Sequence, residues 1–352
     1  MEACVARNLS RHIYIIDSTL REGVQAAGSC LRPEHALPVA RALYRLGLRH
    51  VELANPLWNP DWAGALASIA AQMPDMELIC WCRAKAKDIE AALDIGPGCI
   101  HLSFPVSPAM IEAKLHLPET GLPAFIRSVI EEFSWKGQRF SIGAEDASRA
   151  DPGLLAEVAA VAKQMGAVRL RYADTVSQLN PASTQARLKE LMLRVPQTEV
   201  FHYEFHAHND FGLGLANAIA ALEAGVRAVS STLCGLGERA GNAATEQLLA
   251  YLELHPQSPE GWQGGDIDLS GLPELCAQVA EFSGKLLASQ APIVGADVFT
   301  HESGLHVDGI IKNSQLYDAM APERLGRSNQ LRPSAKAGAA ARRYFAASSF
   351  PV

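Results

Sequence analysis

His206 and His208 stand two residues apart in FHAHND. On a β-strand that spacing sends both imidazoles to one side, where a single ion can meet them. Glu204 lies one step back on the same face, and Asn209-Asp210 continues the polar run. Two nitrogen ligands with one or more oxygen ligands, here Glu22 and the Asn242 carbonyl, would leave coordination positions open for a substrate, as a catalytic divalent ion requires. The same spacing fits a pair of histidines hydrogen-bonded to neighbouring carboxylates. Arg21 and Glu22 are adjacent opposite charges, a pattern usually met on a solvated surface. Directly after a first strand, however, the carboxylate would hold the ion and the guanidinium would donate to a developing alkoxide oxygen. The glycines of GLGERAGN, residues 235–242, suit close approach of backbone to a ligand or a tight turn opening a helix.

These residues need a frame that gathers them. Eight short β-branched or aromatic runs, 13–17, 49–53, 77–82, 99–103, 139–143, 168–172, 200–206 and 226–231, are each followed by an amphipathic stretch. That alternation predicts βα units closed into a parallel (β/α)8 TIM barrel. In such a barrel reactive groups sit at the carboxyl ends of the strands, and the residues there are polar: Asp17, Arg21, Glu22, Glu52, Arg83, Glu145, Asp174, Thr175, His206, His208, Glu238, Arg239 and Asn242. Asp151 and Pro152 open one helix as cap and first turn, and Gly166 closes it. A Pro, Gly and acidic stretch at 255–271 marks a boundary, predicting a catalytic barrel over 1–262 and a small, mainly helical unit over 263–352. In that second unit LPELCAQVAEFSGKLLAS looks helical, FTHESGLHVDGIIKN loop-like and polar, and SAKAGAAARRYFAASSF Ala-rich.

With 352 residues and 48% hydrophobic content the chain buries a large core. The net charge of -7 comes with no basic block, which argues against nucleic acid and anionic membranes and for small-molecule partners. No apolar run reaches the roughly 18 residues of a membrane span, and no signal peptide is evident, so the expected location is cytoplasmic. Seven scattered cysteines read as reduced thiols, and Cys80-Trp81-Cys82 reads as buried strand because no second ligand pair matches it.

The strings DSTLREGVQ (17–25), EDASRAD (145–151), YADTV (172–176), HAHNDFGLGLANA (206–218), GLGERAGNAA (235–244) and FTHESGLHVDG (299–309) cover nearly the whole chain. In this order they resemble the metal-dependent Claisen-condensing family of homocitrate, isopropylmalate and citramalate synthases, to which 3-hydroxy-3-methylglutaryl-CoA lyase is a more distant relative. EDASRAD, WCR (81–83) and the histidine segment look most like the homocitrate synthases associated with nitrogen fixation.

The resemblance implies that acetyl-CoA is joined to a 2-oxo acid, most simply 2-oxoglutarate, to give homocitrate and CoA. It implies that Glu22, His206 and His208 bind a divalent metal, with Asn242 in or near the shell, and that Mg, Mn, Zn, Fe or Co would serve. Arg21, Gln25 and Thr175 would hold the oxo acid. Glu145 would move protons, and His306 would reach the barrel of a partner subunit, making a homodimer. Asp17, Glu52 and Glu204 would orient arginine and histidine from behind. The chain departs from its nearest relatives at Val24 (Glu there), Ser177 (Gly), Asn329 (His) and SAKAG at 334–338 (GKHSG). Sibling synthases using 2-oxoisovalerate, pyruvate, oxaloacetate or phosphonopyruvate, a retro-aldol lyase, and a degenerate paralogue are the other readings.

Overall fold

Alternating inward and outward side chains on short strands bury one face against helices and turn the other toward a common axis. The computed structural model describes residues 12–54, 57, 60–133, 135, 137–262, 267–332, 342, 344 and 346. Its strands are β1 (Tyr14–Asp17), β2 (His50–Leu53), β3 (Glu77–Arg83), β4 (Cys99–Pro105), β5 (Phe140–Glu145), β6 (Arg169–Asp174), β7 (His202–Ala207) and β8 (Ala228–Ser231). All pair in parallel, and β8 closes on β1 from Tyr14↔Ala228 to Asp17↔Ser231. The helices between them are α1 (Glu22–Gln25), α2 (Pro33–Arg45), α3 (Asp61–Gln72), α4 (Ala86–Ile95), α5 (Pro108–Leu115), α6 (Leu122–Glu132), α7 (Pro152–Gln164), α8 (Pro181–Arg194) and α9 (Gly214–Ala224). The helix α10 (Thr245–Leu254) follows β8. The chain is therefore the closed (β/α)8 barrel its sequence predicts.

The two faces of the sheet differ sharply. Outward residues such as Leu53, Leu102, Phe104, Ile142, Leu170 and Phe205 join one apolar core with the helices. Inside the barrel, the apolar filling is a small cluster of Ile16, Ile79, Cys99 and Ala228. Charged side chains occupy much of the rest. Glu52 accepts from Arg21 Nε (2.6 Å) and from Arg171, Glu204 accepts from Arg171 and from Arg169 Nε (2.9 Å), and Arg169 reaches Glu77 at 3.5 Å. Burying ions costs several kcal/mol each unless partners replace their water, and here Glu52, Glu204 and Glu77, which also meets Arg139, each face two cations.

Helix α7 starts as its sequence predicts: the Asp151 carboxylate accepts from Gly153 N (2.8 Å) and Leu154 N (3.0 Å), and Gly166 follows with φ 86°. Beyond the barrel, α11 (Leu272–Ser283) packs on α2, and a parallel pair β9 (Thr300–His301) and β10 (Gln330–Leu331) flanks α12 (Gly304–Lys312). The segment 299–313, read from sequence as a loop, thus contains a helix. Its polar residues mask a helical pattern in which Val307 is buried and Gly309 packs so tightly that a Cβ would lie 2.2 Å from Tyr317 Cε2. The SAKAG stretch lies outside the described residues. Among those described, no helix is long and apolar enough to cross a membrane.

Candidate active site

The carboxyl ends of β1, β3 to β7 surround a cavity of about 110 Å³ lined by Arg21, Glu22, Trp81, His101, Ser103, Gly143, Glu145, Arg171, Ala173, Thr175, His206 and His208. Strand β7 places His206 and, just past its end, His208 on this face, as the two-residue spacing predicts. The turn after β1 bends back through backbone bonds from Arg21 N and Glu22 N to Ser18 O, bringing both side chains under the same mouth.

Glu22, His206 and His208 each offer a ligand atom within 4.8 Å of the others'. Glu22 Oε1 lies 3.3 Å from His206 Nε2 and also takes a bond from Arg21. His206 Nδ1 is occupied by Ser230 Oγ at 2.8 Å, which fixes the ring and leaves Nε2 facing inward. Burial, reinforced by His206, lowers His208 to about 3, so its imidazole is neutral and offers one nitrogen lone pair. Burial would raise Glu22, but Arg21 beside it, aided by His206, holds its carboxyl below the usual range and ionised.

Two buried atoms complete the group. His208 Nδ1 and Asn242 Oδ1 have no hydrogen-bond partner among the described residues, an arrangement that costs roughly 1–3 kcal/mol per group unless something else binds them. Asn242 is held beside His208 by an antiparallel bridge, and its Nδ2 donates to Leu236 O (2.9 Å), so the orphaned oxygen is fixed in place. Two imidazoles, an ionised carboxylate and a carboxamide oxygen thus lie near one another, a donor set of the kind that fits a divalent ion.

The GLGERAGN glycines serve the loop itself. A Cβ on Gly241 would lie 1.8 Å from Gly235 O, and one on Gly237 2.3 Å from Asn242 Nδ2, so the loop can fold around Asn242 only with glycine there.

Arg21 is braced by Glu52 and lies over the Trp81 ring at 5.5 Å. Thr175 lines the cavity, with its Oγ1 accepting from Asp146 N (2.9 Å). Glu145 also lines it and accepts from Lys114 Nζ at 2.6 Å. The remainder of EDASRAD is structural: Asp146 clamps Arg149, and Asp151 caps α7. Gln25 is exposed at the end of α1 and is not among the lining residues. His306 stands apart as well, on α12, stacked on Tyr317 with ring centroids 4.2 Å apart. Of the residues expected to orient others, Glu52 touches Arg21, and Glu204 reaches it only through Arg171 and Glu52. Asp17 touches neither arginine nor histidine. It accepts from Thr19 N (3.0 Å) and Thr245 Oγ1 (2.7 Å) and ties the first loop to α10. Arg83 turns away to Asp88, and Asp174 accepts from Gln178 N and Leu179 N in its own turn.

Six lining residues were not singled out from sequence for the site: Gly143 and Ala173, which carry no polar signal, and Trp81, His101, Ser103 and Arg171. The signal for the last four was polar residues at alternate positions within strands, as in Cys99-His101-Ser103 and Arg169-Arg171, which a barrel turns inward. Ser177, one of the departures, adopts φ 51° and donates to Asp210 Oδ2 (2.6 Å), whose carboxylate also holds Arg239.

Residues 12–279 match the family model described as HMGL-like, and 293–344 match the homocitrate synthase post-HMGL domain-like model. The chain is 36% identical to homocitrate synthase of Frankia alni, covering 94% of this chain and 92% of that one. It is also 36% identical to 2-isopropylmalate synthase 2 of Caldanaerobacter subterraneus subsp. tengcongensis, covering 94% and 83%. Among solved structures it is similar to hydroxymethylglutaryl-CoA lyase from Pseudomonas aeruginosa, with TM-score 0.66 and 22% identity over 79% of this chain and 95% of that one.

Proposed function

We propose, from the premise that the chain belongs to the HMGL-like family, that it is an acyltransferase condensing acetyl-CoA with a 2-oxo acid, and that the acid is 2-oxoglutarate. One observation carries the site assignment: His208 Nδ1, buried without a partner among the described residues, lies in the same mouth as Glu22, His206 and Arg21, and Asn242, whose buried Oδ1 is likewise unpartnered there, is bridged to His208 through the backbone. Glu22, His206 and His208, with Asn242 beside them, would hold a divalent metal, which when bound polarises the carbonyl of the oxo acid.

The remaining work falls to the chain's own groups. Arg21 places its guanidinium against the carbonyl oxygen that gains charge, and bracing by Glu52 spares it reorganisation as that charge develops. Thr175 and, from the rim, Gln25 orient the oxo acid. Glu145 exchanges protons at the mouth. The base for the acetyl methyl proton is Glu145 or His306 of a second copy, since His306 lies away from its own cavity, and the protein accordingly acts as a homodimer. The methyl carbon then bonds to the oxo carbon, the alkoxide is protonated, and water cleaves the thioester, giving homocitrate and CoA. The cytoplasm is the proposed location, and a division near 262 separates the catalytic barrel from its helical companion.

Support for 2-oxoglutarate comes from relatives named homocitrate synthase at 36% and 38% identity. The equal likeness to an isopropylmalate synthase makes another 2-oxo acid the second reading. Thiol release from acetyl-CoA with Mg or Mn, across 2-oxoglutarate, 2-oxoisovalerate, pyruvate, oxaloacetate and phosphonopyruvate, decides between them. Release with 2-oxoglutarate above all others is expected. Preference for a different acid moves the substrate within the same chemistry, and silence from metal-loaded protein overturns the synthase reading.

A further inference from the structure

The turn that follows β8 holds a cysteine in an unfavourable conformation. Cys234 has φ 57° and ψ 17°, a left-handed backbone that side chains other than asparagine and aspartate seldom adopt. Its N–H donates to Glu246 Oε2 on α10 at 2.9 Å, which anchors it there. Strain of this kind persists only where the surroundings hold it, and here it sets the direction of a thiol. Cys234 Sγ donates to Cys276 O on α11 at 3.4 Å, and the two thiols themselves interact.

Two thiols and a carboxylate therefore meet where the turn, α10 and α11 converge. Cys234 is partly exposed, whereas Cys276 and Glu246 are buried. The Cys276 thiol also interacts with the Glu246 carboxylate. Its contact with Cys234, together with burial, holds it well above the usual thiol range, and burial raises Glu246 to about 7, so a proton can pass from one to the other. Among the described residues only Glu22, His206 and His208 gather three ligand atoms close enough for one ion, so the cluster is not a metal site. The other described cysteines are placed differently: Cys82 Sγ donates to the carbonyls of Cys80 and Asp88, Cys99 Sγ reaches Ser141 Oγ, and Cys30 is exposed.

We propose that Cys234 and Cys276 form a reversible disulfide, a thiol switch acting on the loop that holds Asn242. The oxidant is a low-molecular-weight disulfide. Cys234 Sγ, as thiolate, attacks one sulfur of it and expels one thiol; Glu246 then takes the Cys276 proton, and that sulfur attacks Cys234 Sγ and expels the second. One S–S bond breaks and one forms, two electrons pass to the oxidant, and both protons leave on the released thiols. The crosslink fixes the two Cβ atoms about 3.8 Å apart, and Cys234 gives up its bond to Cys276 O to make it. The next two carbonyls hold Asn242: Gly235 O accepts from its N at 3.0 Å, and Leu236 O from its Nδ2 at 2.9 Å. A shift of Cys234 thus displaces the carboxamide and weakens divalent metal binding. In the cytoplasm, the proposed location, a disulfide is transient and regulatory rather than structural, as a switch requires. The effect on the ion rests on the metal site proposed above, and the crosslink itself does not.

The test uses metal-free protein carrying Cys30→Ser, which removes an exposed competitor. After treatment with oxidised glutathione, peptide mass mapping should find Cys234 joined to Cys276, the link should vanish with dithiothreitol, and Cys276→Ala and Cys234→Asn should not form it. Asparagine suits the left-handed backbone, so Cys234→Asn should keep its thermal midpoint. Calorimetry with Mn should show binding weakened about 5- to 150-fold in the crosslinked protein, the span typical of coupling between two sites, with no change on oxidation of either variant. Glutathione adducts without the crosslink, or no modification of either cysteine, overturn the switch. A crosslink with unchanged Mn binding overturns its coupling to the ion. Reduced protein that binds no Mn overturns the metal assignment and the coupling with it, but not the crosslink, which the map decides.

Discussion

Strand β7 carries histidines at both ends, and their fates differ. At the amino end, His202 Nε2 is closed by the Tyr14 hydroxyl at 2.5 Å, and Tyr14 lies against His50 with the rings tilted by 42°, while His50 neighbours Glu77 at 3.4 Å. At the carboxyl end, His208 keeps a buried nitrogen unpartnered beside an unpartnered Asn242 oxygen. Both ends are rich in histidine, carboxylate and arginine, so residue type alone does not separate them. What separates them is how the gaps are met: at the amino end His202 is hydrogen-bonded to Tyr14, and His50 Nδ1 and Glu77 Oε1, which make no hydrogen bond, face Glu77 Oε2 at 3.4 Å and Arg169 at 3.5 Å, whereas His208 Nδ1 and Asn242 Oδ1 at the carboxyl end have neither a hydrogen bond nor an ion-pair partner among the described residues.

The sharpest way to break this comparison is His208→Ala. Turnover is expected to fall at least about 10³-fold with loss of bound divalent metal, because a first-coordination ligand disappears. The thermal midpoint of metal-free protein should hold or rise, since an unpaired buried polar atom goes with it. Metal analysis and calorimetry read both, and a metal-replete, active variant would remove the assignment.

Arg171→Met probes what joins the two ends. It strips a partner from both Glu52 and Glu204, each fully buried, and should cost about 3–5 kcal/mol in denaturant unfolding, with Arg21 loosened as a consequence.

Acid should reach the amino end through its histidines. Burial lowers His50 to about 4 and His202 to about 3, against about 6.5 in the unfolded chain. Depressed basic groups contribute stability that is present above 6.5 and lost as pH falls toward the folded values. Unfolding free energy should therefore drop on the order of 2–3 kcal/mol per ring between pH 7 and 4, less in His202→Phe. Burial acts oppositely on Asp17 and Glu246, raised to about 6 and about 7. Their contribution is present at low pH and lost as pH rises through those values, so Glu246→Gln should flatten the alkaline side.

The smallest effect is expected from Tyr14→Phe, which unpairs His202. A loss of about 1–2 kcal/mol in stability with kcat/KM within about twofold would sharpen the division, and a large catalytic loss would blur it.

The frame was legible because strand runs and helix signals are local: Asp151-Pro152 and the HAH spacing announce themselves within a few residues. What the sequence hid was long-range. Nothing adjacent to His101 reveals that Ser141, forty residues on, orients its ring, or that the absent side chain of Gly143 gives it space. Gln25 and His306 carried motif resemblance, yet neither lines the cavity within one chain, since a motif does not state which subunit or which rim its residue serves. Asp17 failed as an orienting group for the same reason: the partner that claims it, Thr245, is 228 residues away.

The ion-filled lumen also sets how this barrel can diversify. Glu52, Arg171 and Glu204 each answer to two oppositely charged partners, so a single exchange among them strands a charge and destabilises the barrel. Ser103 and Gly143 carry no charge in that ring. Substitutions along β3 to β5 are therefore expected to cost the fold less than any within the charged lumen.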